Sequence, residues 1–128
     1  MEIFVFGSNY EGRHSRGGAT YALRKRGAIY GQGEGRQGMS YGIPTKGYNL
    51  KILSLEKIRE HIFKFMEYAL EHPNLRFKVT TVGTGLAGYK HEDIAPMFEN
   101  APLNCMFDDR WEEYLGEEYE YFHWNGKL

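Results

Sequence analysis

The chain has 128 residues, 41% of them hydrophobic, and a formal net charge of −1, which describes one ordinary domain with one buried core, neither disordered nor fibrous. No run approaches the ~20 apolar residues that span a bilayer, and the opening Met-Glu-Ile-Phe-Val-Phe reads as a buried strand rather than a signal peptide. The single cysteine, Cys105, excludes an internal disulfide and a zinc site of ordinary ligand spacing, so a cytoplasmic setting and no bound metal are expected.

Ile3 to Phe6 is a short continuous apolar run ended by Gly7, the pattern of a central strand. After a turn at Gly7-Ser8-Asn9 and a stretch holding Gly12, Gly17 and Gly18, Ala19 to Arg26 predicts a helix with Ala22 and Leu23 facing inward and Gly27 as its stop. A glycine-rich stretch, Gly31 to Gly38, leads into a strand over Met39–Pro44. Its Gly33-Glu34-Gly35-Arg36-Gln37-Gly38 has the letters of the dinucleotide fingerprint, but that motif needs a helix after it, and a Rossmann site is rejected.

Ser54 is an N-cap for the longest helix, which Pro73 closes. Leu55, Ile58, Ile62, Phe65, Met66, Ala69 and Leu70 recur along it at spacings of three and four, an amphipathic stripe. Leu75 to Val82 alternates as a strand, with Leu75, Phe77, Val79 and Thr81 on one face. Gly83 to Gly88 forms a further glycine-rich loop, then a helix through Ile94, Met97 and Phe98, and a last strand over Asn104–Phe107. In the tail, Asp109 and Glu112 have capping-box spacing and Gly116 stops one short helix. Alternating strands and helices predict an α/β fold of three layers, with a mostly parallel central sheet and helices on both faces.

Two of the glycine loops, Gly12–Gly18 and Gly83–Gly88, run from a strand end toward a helix N-terminus. Unpaired N–H groups and the positive end of the helix dipole favour phosphate there, and glycine allows close backbone approach. Residues 1–46 hold seven Lys/Arg against three Asp/Glu, whereas residues 108–128 hold two against seven. A basic half suits an anionic ligand, and an acidic tail disfavours nucleic acid. These features point to a small phosphate-bearing ligand.

The same residues carry a resemblance. Phe6-Gly7-Ser8-Asn9 followed by Gly12-Arg13-His14-Ser15-Arg16-Gly17-Gly18-Ala19 resembles the first ligand loop of macro domains. Ile43-Pro44-Thr45-Lys46 and Gly83-Thr84-Gly85-Leu86-Ala87-Gly88-Tyr89 are similar to the strand end and diphosphate loop of the macro subgroup that removes ADP-ribose from carboxylates or DNA bases. The downstream Ile94-Ala95-Pro96-Met97-Phe98-Glu99 resembles that subgroup's next helix. The likeness runs from about residue 3 to residue 107, and it extends to a macro-like family of phage and prophage genomes with no settled activity.

The resemblance implies a nucleotide-binding domain over residues 1–107, with residues 108–128 an acidic, aromatic extension packed on it. It implies that Asn9 faces the distal ribose, that Gly17 and Gly18 approach that ribose and its phosphate, and that the backbone of Thr84, Gly85, Leu86, Ala87 and Gly88 wraps the diphosphate. Thr45 lies beside Lys46, which stands where the hydrolase subgroup places a lysine that attacks the ribose anomeric carbon. Arg13, His14 and Arg16 form a cluster able to clamp phosphate. Two departures stand out: no acid occurs near Leu86-Ala87-Gly88, and no counterpart precedes Ile3 of the strand and Asp with which macro domains read adenine. The expectation is therefore a binder of ADP-ribose or a related NAD-derived nucleotide, cyclic forms included. Such a protein could be a phage product that sequesters a signalling nucleotide in the host cytoplasm; the alternative is an ADP-ribosyl hydrolase using Lys46. No cofactor is expected. The tail's Trp111, Tyr114, Tyr119, Tyr121, Phe122 and Trp124 suit either a covered sheet edge or a contact between copies of the chain.

Overall fold

The structure, a computed structural model, describes residues 1–124; the last four positions of the expected extension lie outside them. The elements are β1 (Glu2–Asn9), α1 (Gly17–Lys25), β2 (Gly35–Gln37), β3 (Ser40–Lys46), α2 (Leu55–Glu71), β4 (Arg76–Val79), α3 (His91–Ile94), β5 (Cys105–Asp108), α4 (Glu112–Leu115) and β6 (Glu120–Phe122). They form one sheet in the order β2-β3-β1-β4-β5-β6. Only the β2–β3 pair is antiparallel. The fold is the expected three-layer α/β arrangement.

β1 is apolar from Ile3 to Phe6 because both its faces are covered there. Phe4 and Phe6 pack with Ala19 and Ala22 of α1 on one face, while Ile3 and Val5 join the larger core under α2 on the other. In α2, Ile58, Ile62, Phe65 and Ala69 are the buried stripe. Ser54 caps the helix by accepting from the Lys57 N–H at 3.2 Å. β2 spans only Gly35–Gln37 and its pairing stops at Gly42. Pro44, which has no N–H to give, therefore needs no partner on that side of β3.

Several expectations are corrected. Leu70 lies on the solvent side of α2, 69% exposed. Leu23 is only half-buried, and Ala19 takes the inner position with Ala22. The helix through Ile94, Met97 and Phe98 divides: α3 has four residues, and Ala95–Phe98 is a 3-10 turn holding Pro96 at its start. Asp109 does not cap a helix here: Asp108 caps the 3-10 turn Asp109–Trp111 that leads into α4, its carboxylate accepting from the Arg110 N–H at 3.0 Å. β5 is not the last strand. The tail returns as β6 beside it, and Trp111 and Tyr119 enter the main core. The division expected at residue 107 falls inside β5.

The winding reverses at the middle of the sheet. From β1 the chain passes through α1 to β3 on one side, then returns through α2 to β4 on the other. In open α/β sheets this switch point, beyond the strands' carboxyl ends, is where ligands bind.

A candidate phosphate-binding cleft

A cleft of about 660 Å³ opens at that switch point, within the usual size for a small-molecule site. Gly7, Ser8 and Asn9 from the end of β1, Thr45 and Lys46 from the end of β3, and Thr80 and Thr81 after β4 form its floor. Its walls are the stretch through Arg13 and Ser15 to Ala19, the loop of Gly83, Gly85, Leu86 and Ala87, and the side chains of Leu50 and Trp124. Three cations, Arg13, Arg16 and Lys46, line it, and no carboxylate does among the described residues. Glu11 pairs with Arg13 at 3.4 Å, both partly exposed.

The amino end of α1 opens on the cleft. Gly17, Gly18 and Ala19 make both its first turn and the cleft wall, and no side chain among the described residues caps the helix. Its first N–H groups are thus left to face an anion. Gly17 has φ +56° with open space beside it, a backbone that side-chain-bearing residues rarely adopt.

The third glycine loop is braced by its own turns. Thr84 N–H donates to the Thr81 carbonyl, Gly88 N–H to Gly85, and Tyr89 N–H to Gly83. Thr84 also donates its hydroxyl to Thr81 at 2.7 Å. Thr84 and Gly88 are thus absorbed in shaping the loop and do not line the cleft. Gly85, Leu86 and Ala87 do, and their N–H groups have no protein acceptor among the described residues. The helix that follows has four residues, so the expected contribution of a helix N-terminus here is withdrawn. At Gly85 an added Cβ would meet nothing within 4 Å, and φ is not in the positive range. The fold gives no reason for glycine at that position.

Asn9 reaches the cleft, but its amide fastens the loop: Nδ2 donates to the Arg13 carbonyl at 3.1 Å and Oδ1 accepts from the Arg13 N–H at 2.9 Å. Thr45 is buried and donates to the Ser8 carbonyl. His14 is turned away from the cleft, which corrects its expected place in a phosphate clamp. It is 1% exposed, edge-on to Phe6, with Nε2 3.1 Å from Gln37 Oε1. Gln37 gives both its N–H groups to carbonyls, so its oxygen accepts and His14 Nε2 carries the proton. The stretch Gly31–Gly38 also stays out of the cleft. A Cβ on Gly33 would lie 2.0 Å from the Asn9 carbonyl oxygen, so this glycine serves close packing.

Sequence reasoning missed Trp124, Leu50, Thr80 and Thr81 as lining residues. No signal marked the threonines, which the expected strand Leu75–Val82 contains; β4 ends at Val79 and leaves both at the cleft floor. Nor did any mark Trp124: β6 brings it across to α1, where its ring lies 5.5 Å from Phe4 and against Gly18. Outside the cleft, burial pushes the Cys105 thiol up to about 12, which suits packing and not reaction. Among the described residues no cluster of three or more His, Cys, Asp or Glu could hold a metal, and no helix is long and apolar enough to cross a membrane. Compared with protein-family models, curated proteins and solved structures, the chain matches none.

Proposed function

We propose that the protein binds ADP-ribose or a related NAD-derived nucleotide and holds it intact, as a module that withdraws a signalling nucleotide from use. One observation carries the reading: an uncapped helix N-terminus opens into a cleft lined by three cations and no carboxylate among the described residues. Such a site favours a ligand with more than one negative charge. The N–H groups of Gly85, Leu86 and Ala87 suit a second phosphate, and the volume suits a dinucleotide-sized ligand. The likeness of the two loops to those of macro domains supports ADP-ribose in particular.

Lys46 favours a second reading, an ADP-ribosyl hydrolase, because it lines the cleft at the end of β3. Against that reading, no carboxylate lines the cleft among the described residues to act as acid or base beside it.

The test is thermal unfolding with a panel of ADP-ribose, cyclic ADP-ribose and NAD at millimolar concentration. A ligand that binds only the folded state adds about 2.7 kcal/mol at a hundred times its Kd, so Tm rises. Chromatography should then recover the nucleotide unchanged. No shift with any member of the panel overturns the proposal.

A further inference from the structure

Lys46 is followed by a turn that closes on itself. Gly47 N–H donates to the Lys51 carbonyl at 2.7 Å, and Lys46 bridges to Ile52. At its tip Asn49 and Leu50 both have φ +57°. Asparagine tolerates that region, whereas leucine is a genuine outlier there. The turn is held from outside by Glu11, whose Oε1 accepts from the Asn49 N–H at 3.0 Å while Oε2 pairs with Arg13. Leu50 is only partly packed in return for this backbone cost: it is 42% exposed. Yet it lines the cleft. Strain that persists at a non-glycine residue packed only in part is a mark of ligand clamps.

We infer that Leu50 is a specificity-determining residue, held over the cleft to cover the sugar or base ring of the bound nucleotide. The inference rests on the nucleotide-binding reading and narrows it. The site selects a ligand with a ring beyond its phosphates over inorganic diphosphate, and Leu50 supplies part of that selection. Glu11 ties this turn to the Arg13 loop, so the apolar cover and a phosphate-facing cation are positioned by one carboxylate.

The test is calorimetric titration of wild type, Leu50→Ala and Leu50→Gly with two probes, ADP-ribose and inorganic diphosphate, with Tm measured on each protein. Leu50→Ala removes the side chain, and Leu50→Gly also relieves the backbone. Covering a ring with a half-exposed leucine is worth about a five- to tenfold change in affinity. Leu50→Ala should weaken ADP-ribose by that factor and leave diphosphate within about twofold. Leu50→Gly should weaken ADP-ribose at least as much without lowering Tm, a combination that a packing role does not produce. The inference is overturned if both variants bind ADP-ribose as wild type does, if both probes weaken equally, or if Leu50→Gly loses several degrees of Tm. Where diphosphate binds too weakly to measure, the ADP-ribose ratio and Tm decide. Wild type that binds neither probe and no other nucleotide of the panel overturns the nucleotide-binding reading itself, whereas normal binding by the variants overturns only the role of Leu50.

Discussion

Gly85 offers a clean separation of fold from ligand. Its ordinary φ and the open space around its Cβ position mean that a side chain costs the folded protein little. Gly85→Ala should leave stability within about 0.5 kcal/mol or raise it slightly, because it restricts the unfolded chain. Gly85→Glu adds a negative charge to a cleft that no carboxylate lines among the described residues. For a phosphate about 5 Å from the new charge, repulsion is about 1–3 kcal/mol between water-like and protein-surface dielectrics. Affinity should then fall about five- to 150-fold. Some of that effect should recover at high salt, which screens exposed charges. Urea denaturation measures the first quantity and calorimetric titration the second. A Gly85→Glu protein that is folded and binds ADP-ribose as tightly as wild type would refute the placement of phosphate at this loop.

If Lys46 only contacts an anion, Lys46→Ala should weaken ADP-ribose binding by about 1.5–3 kcal/mol, and Lys46→Arg should keep part of it. Borohydride should trap no imine on wild type; a Lys46 adduct with product accumulating over many turnovers would favour the hydrolase instead, for which arginine cannot substitute. At Asp108, burial opposes ionisation, but the hydrogen bonds and charge of Arg110 outweigh it and hold the carboxyl below its ordinary range. A lowered folded pKa gives stability that is present above the unfolded value of about 3.9 and is lost as pH falls through the folded one. Arg110→Ala should therefore cost about 1–3 kcal/mol at pH 7 in urea denaturation and shrink the further loss on acidification; equal stability of the two proteins at pH 7 would contradict this. With its thiol buried and pushed up to about 12, Cys105 should resist a disulfide reagent at pH 8 until urea unfolds the chain, and rapid labelling of the folded protein would show the burial to be wrong.

What the sequence made legible follows from where periodicity is enforced. β1 and α2 face the core along most of their length, so an unbroken apolar run and a 3.6-residue stripe mark them. β6 is three residues long and pairs only with β5, and nothing local distinguishes it from the acidic tail around it. The split of the expected helix after His91 was written in Pro96, which a longer helix could hold only in its first turn. Within the site, residue types were informative and directions were not. His14 between two arginines has the composition of an anion clamp, but its partner Gln37 lies 23 positions away, and that pairing turns it inward. Thr84 and Gly85 stand side by side in the same loop. Only the turn hydrogen bonds decide which of them faces the cleft.

Those hydrogen bonds also divide the labour of the site. The Asn9 amide fixes the first loop through the Arg13 backbone, and Thr84, Gly88 and Tyr89 fix the third loop through their own N–H groups. Both sets of N–H groups proposed to face phosphate, at Gly17–Ala19 and at Gly85–Ala87, are therefore in position before any ligand arrives, and binding need not order them. Arg13 and Arg16 are exposed at the rim, where their charge attracts an anion from a distance but salt screens it. The geometry of recognition should accordingly reside in the backbone and the rate of encounter in the arginines. Neutralising Arg13 and Arg16 should slow association and flatten its salt dependence, while a bulky uncharged substitution at Gly85 should change dissociation and leave that salt dependence in place. Rapid-mixing kinetics at two ionic strengths measures both effects, and such a Gly85 variant that slowed association alone would reverse the assignment.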